Sequence, residues 1–81
     1  MSDAALAARA TDALVTAADA EAGVSTSLVS LSLERLAAGE AHDVATHVVR
    51  KTRTLTFMRA DIKDAAGATI AIASSVHKAA G

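Results

Sequence analysis

The sequence predicts an α+β fold in which one long N-terminal helix packs on a four-stranded antiparallel sheet. Three observations lead there. Residues 2–22 are alanine-dominated and free of glycine and proline, whereas after Gly23 the composition turns to Val, Ser, Thr and Leu and the apolar period drops from 3.6 to 2. Three turn signals, at Ala37-Ala38-Gly39-Glu40, Lys51-Thr52-Arg53 and Asp64-Ala65-Ala66-Gly67, then divide the rest into four strand-length segments. None of the connections approaches the dozen residues that a parallel return requires, so neighbouring strands are expected to run antiparallel, as a meander.

The helix is expected over residues 3–22. Ser2 is a capping residue, Asp3 puts a negative charge in the first turn, and Gly23 supplies a C-terminal stop. At 100° per residue Arg9, Asp12, Thr16 and Asp19 share one arc, with Leu6, Ala10, Ala13, Leu14 and Ala17 opposite. Alanine on the buried side lets the helix lie close to what it covers. Arg9 and Asp12, three apart, have the spacing of an ion pair.

The strands are expected at about 24–35, 41–51, 53–63 and 69–78, in a single domain spanning residues 1–81. In the third, alternation separates Leu55 and Phe57 from Met58, Ala60 and Ile62. In the fourth, Ile70, Ala71, Ile72 and Ala73 make both faces apolar. A single helix covers only one face of such a sheet, which leaves the other face or an edge for a second subunit.

Composition supports that expectation. Of 42 apolar residues 22 are alanine, so the core is thin, and with no cysteine neither disulfides nor cysteine-built zinc sites reinforce it. A homo-oligomer, dimer or tetramer, is the ordinary alternative. A net charge of -1 and a single aromatic residue argue against a nucleic-acid partner. No segment has the length and apolarity of a membrane span, and Asp3 stands where a signal peptide would be basic, so no membrane partner and a cytoplasmic location are expected.

Few residues stand out chemically. His42 and His47 lie five apart on one strand and so face opposite ways, and His77 is near the C-terminus; no shared metal site is expected, and all three histidines read as surface residues. Asp12 on the polar arc is a candidate base or nucleophile for a carbonyl substrate if a subunit boundary passes beside it. Thr11 beside it is either an assisting group or a hydroxyl bonded back to the helix. Arg50, Lys51 and Arg53 make the one concentration of positive charge, suited to the phosphates of a nucleotide or coenzyme A. There is no glycine-rich phosphate loop, nucleophile elbow or dinucleotide fingerprint.

Taken in order, the alanine-rich helix, Gly23-Val24-Ser25-Thr26-Ser27-Leu28, Val48-Val49-Arg50-Lys51-Thr52-Arg53-Thr54-Leu55-Thr56-Phe57 and Asp61-Ile62-Lys63-Asp64-Ala65-Ala66-Gly67-Ala68-Thr69-Ile70-Ala71-Ile72-Ala73 resemble the hotdog-fold acyl-CoA thioesterases of the phenylacetate-pathway type. The resemblance spans residues 4–78. It implies a curved sheet wrapped on the helix, edge-to-edge dimers that often pair into tetramers, and hydrolysis of an acyl-CoA substrate at the dimer boundary with no separate cofactor. It further implies an acidic base or nucleophile in the helix, and basic hairpin residues, here Arg50, Lys51 and Arg53, on the coenzyme A phosphates. The family's N-terminal strand and the loop after it fall outside the resemblance. Its His-Gly-Gly at the start of the helix is replaced by Ser2, Asp3 and Ala4, and aligning Ala13-Leu14 with the family's "AL" sets Thr11 in the place of the acid, with Asp12 one residue on. The alternative is a non-catalytic hotdog-type binding or assembly module.

Overall fold

The computed structural model describes residues 1–80. Helix α1 runs Asp3–Ala22, followed by β1 (Thr26–Arg35), β2 (Asp43–Lys51), β3 (Leu55–Lys63) and β4 (Thr69–Ala79). Both helix ends follow the local chemistry. The Ser2 hydroxyl accepts a bond from the Ala5 amide, and Gly23 takes the left-handed conformation at φ 74°, donating its amide to the Asp19 carbonyl. The β3–β4 turn is set by Asp64, whose Oδ1 accepts from the amides of Ala66 and Ala68, while Gly67 holds φ 87°.

The strand order is β1-β4-β3-β2, all neighbours antiparallel. This corrects the expected meander: β2, β3 and β4 follow one another as hairpins, but β1 pairs with β4 and lies at the edge opposite β2. The seven residues 36–42 between them reach about 23 Å when extended, and three strand spacings are about 14 Å, so a short connection suffices to cross the sheet end. Two arginines fasten it. Arg35 donates to the carbonyls of Ala37 and Gly39, and Arg9 donates to those of Ala41 and His42. Arg9 is therefore committed to the crossover, and the expected Arg9–Asp12 pair does not form.

Leu6, Ala10, Leu14 and Ala18, each four apart, form the buried stripe of α1. They meet Met58, Ala60 and Ile62 of β3 and Ala71 and Ala73 of β4. The two central strands thus carry the core, and alternation on β3 is as the sequence predicts, with Leu55 and Phe57 on the outer face. Ile70 and Ala71 are both buried because the register slips there, a bulge that turns consecutive side chains inward. The edge strands are poorly covered: Leu28, Val29 and Leu31 on β1 and Val48 and Val49 on β2 are exposed.

Candidate functional site

The site residues divide between the helix flanks, the hairpin tip and a buried polar cluster in the core. Asp19 fixes the directions. Its Oδ1 accepts the Thr26 amide at 2.8 Å and the Thr26 hydroxyl at 2.7 Å, so this flank of α1 faces β1. Asp12, seven residues and two turns earlier, projects on nearly the same side and is exposed. Thr11 is half-buried, and its hydroxyl donates to the Ala7 carbonyl at 2.7 Å, the helix-bonded alternative read from the sequence. Below them β1 turns Leu28, Leu31 and Leu33 toward the helix side, and on its far side, among the described residues, its backbone has no neighbouring strand.

The basic residues stand elsewhere. They belong to the β2–β3 hairpin, at the opposite edge of the sheet and beside the C-terminal end of α1, where the Lys51 ammonium donates to the Glu21 carbonyl at 2.8 Å. Lys51 is paired with Thr56, which is buried beneath the helix, whereas Arg50 is paired with Phe57 on the outer face and lies over its ring at 5.9 Å. Arg53 is at the exposed tip. Within one chain Asp12 and these three cations are not brought together, and the cations do not share a face.

The sequence reading placed His77 on the surface; the structure buries it completely. Its strand, β4, is central, and the alternation that turns Ala71, Ala73 and Ser75 inward turns His77 inward as well. Its Nε2 lies 2.7 Å from the Ser75 hydroxyl, and its Nδ1 has no partner among the described residues. Burial pushes the imidazole below its ordinary 6.5, partly opposed by the negative charge of Asp19. The hydroxyl and amide of Thr26 hold Asp19 below the usual carboxylate range. No run of residues marked this cluster: β4 had to be recognised as central, which pairing decides. Sequence spacing does not.

Both shifts have the same sign for stability. Each folded-state value lies below the unfolded one, so stability is complete above the unfolded value and is lost as pH falls through it. The urea midpoint is therefore expected to be flat above neutrality, to decline below about 6.5 as the unfolded chain takes a proton that buried His77 refuses, and to decline again below about 3.8 for Asp19. Replacing His77 by glutamine removes the first decline; a His77→Gln curve that still bends near 6.5 refutes the assignment.

On the outer face an apolar groove of about 260 Å³ is lined by Ser30, Ser32, Val49, Phe57, Ser74 and Val76. His47 Nε2 and Arg59 both reach the Asp61 carboxylate, at 3.2 Å each, on that same face. No group of three or more metal-ligating side chains occurs among the described residues, and no described helix is long and apolar enough to cross a membrane.

No protein-family model and no curated protein matches the chain. Among solved structures it is similar to a protein from the thioesterase superfamily, with a TM-score of 0.79 at 12% identity. The match covers 99% of this chain and 62% of the other, so this chain spans less than two thirds of that protein's length. The helix on a four-stranded antiparallel sheet matches the fold of that protein, a hotdog fold.

Proposed function

We propose that the chain acts as a thioesterase-like subunit that hydrolyses an acyl-CoA thioester at a boundary between two copies of itself, in the cytoplasm, in the manner of the phenylacetate-pathway type. The observation that carries this reading is the position of Asp12, exposed on the helix flank that faces β1. A second copy pairing along β1 would convert that open flank into a walled cleft. Of the two edges β1 is the better suited: apart from Glu34 and Arg35 at its end it is uncharged, while β2 carries Asp43, His47, Arg50 and Lys51. Leu28, Leu31 and Val29 would then supply apolar wall for an acyl group.

In this reading Asp12 is the base that takes a proton from water, or the nucleophile that attacks the thioester carbonyl. Thr11 assists only if its hydroxyl gives up Ala7. The cations at the hairpin bind the coenzyme A phosphates, with Lys51 and Arg53 on the helix side or the tip, and Arg50 joining them only by leaving Phe57. The same commitment of the Thr11 hydroxyl favours the second reading, a hotdog-type binding or assembly module without turnover.

Purified chain assayed against short, long and aromatic acyl-CoAs separates the two. Turnover that falls about 100-fold or more in Asp12→Asn, the range for loss of a general base, supports hydrolysis. Coenzyme A binding by calorimetry with no turnover supports the binding module, and neither binding nor turnover removes both.

A further inference from the structure

The outer face of the sheet, away from α1, has no part in the thioester reading. On it Val76 of β4 pairs with Phe57 of β3, two half-buried apolar side chains on the central strands. Each edge strand slips register once, β1 between Leu28 and Ser30 and β2 between Val48 and Arg50, and both slips fall beside this same pair. A slip inserts one residue, bends the strand and re-aims the side chains next to it. The apolar groove of about 260 Å³ lies here, with Val49, the inserted residue of β2, in its wall and the exposed Ser30, Ser32 and Ser74 along it.

Charge decides what fits. Arg9, Arg35, Lys51 and Arg59 each donate to a carbonyl or carboxylate of the chain. Arg50 has no carboxylate partner among the described residues and lies over the ring of Phe57, which lines the groove. Contact with the ring leaves the five N–H donors of the guanidinium available, and two of them match a carboxylate. Arg59, two residues from Phe57, is already matched by Asp61. The groove is thus an apolar bed with one uncompensated positive charge at its rim. A second copy is the poorer occupant, because a stable interface covers about 800 Å² on each partner. On this face that extent takes water from Arg59, His47 and Asp61 as well, without supplying them partners. We infer that the groove binds a small apolar monocarboxylate, its carboxylate on Arg50 and its hydrocarbon body along Phe57, Val76 and Val49. The volume is just under the roughly 300–1,000 Å³ of sites for drug-sized ligands, so the body is a short chain or a single ring. Arg50 stays on Phe57 in this role, and the inference does not depend on thioester chemistry.

The test is an NMR titration of the whole chain with sodium octanoate, set beside acetate, which lacks the hydrocarbon body, and octylammonium, which has the body and the opposite charge. The expected result is saturable shifts of the Val49, Phe57, Ser74 and Val76 amides with octanoate alone, while Leu6 and Leu14 on the helix hold. Arg50→Gln should weaken octanoate about tenfold or more, the range of a hydrogen bond to a charged group. Arg53→Gln removes the same charge from the hairpin tip and should leave the affinity unchanged. Ser74→Leu fills the groove without touching Arg50 and should abolish the shifts. Octanoate that binds Arg50→Gln as tightly as the parent overturns the inference, as does octylammonium saturating the same amides, since either makes apolar contact alone sufficient. The absence of saturable shifts with octanoate overturns it, and so do shifts confined to Leu28, Leu31 and the α1 flank, which would assign the carboxylate to the thioester cleft. Groove amides that shift on dilution without ligand reveal a second copy on this face and overturn it as well.

Discussion

Leu14→Ala is expected to remove a large part of the chain's folding stability and to move its urea midpoint well down. The core has few large side chains: Leu6, Leu14, Ile62 and Ile70 are its fully buried bulky apolar residues, and the remainder is mostly alanine. Truncating a fully buried leucine costs about 2–5 kcal/mol. A domain of 81 residues has about 4–12 kcal/mol of stability in total, so the loss consumes a large part of it. The surrounding alanines cannot extend into the space, and the backbones they belong to are held by the sheet ladder, so little relaxation offsets the loss. Urea unfolding followed by circular dichroism measures the effect. Leu28→Ala, on the exposed edge, is the control and should move the midpoint by less than a third as much. Equal effects at the two positions would mean that the stripe of α1 is not what holds the sheet.

Ala73→Leu tests the same interface from the opposite direction. Ala73 and its cross-strand partner Ala60 are wholly buried under the helix, whose own stripe alternates leucine with Ala10 and Ala18. Small residues on both surfaces let the helix approach closely, and three added carbons have nowhere to go unless α1 lifts. Overpacking of this sort costs about 1–3 kcal/mol. Lifting α1 also strains the Arg9 bonds to the crossover and the Asp19 bonds to Thr26, so the upper end is expected. Ser74→Leu places the same side chain one residue along, where it points out from the sheet, and should be nearly neutral. If the two substitutions behave alike, the assignment of inner and outer faces on β4 is wrong.

Local chemistry made the helix legible. Ser2 and Gly23 fix its ends, and the expected range 3–22 is the observed one. The strands begin two residues later than the alternation suggests at β1, β2 and β3, because the residues before them serve turns. What spacing does not contain is pairing. The connection from Arg35 to Asp43 is short enough for a hairpin and long enough to cross three strand spacings, and only the burial of β4 between β1 and β3 distinguishes the two. His77 was misplaced for that reason: on an edge strand near the C-terminus it would be wet, and on a central strand the same alternation buries it. In the sequence Asp19 is one more residue of a polar arc, since nothing in the helix announces that Thr26 folds back against it. Helical geometry alone puts Asp12 on the polar arc, and it is exposed. The three basic residues, contiguous or nearly so, looked like one cluster, but consecutive strand positions point to opposite faces, and Arg50 and Lys51 are divided accordingly.

The strand order carries a kinetic consequence. The β2–β3 and β3–β4 hairpins close over short stretches of chain and can form early, whereas β1, among the described residues, pairs only with the eleven-residue β4, with Thr26 meeting Ala79 across 53 residues. Contacts of such sequence separation slow folding, since the loop must be closed before they reward it. The strand after the helix therefore waits for β4, and this edge of the sheet is the last part of the fold to set.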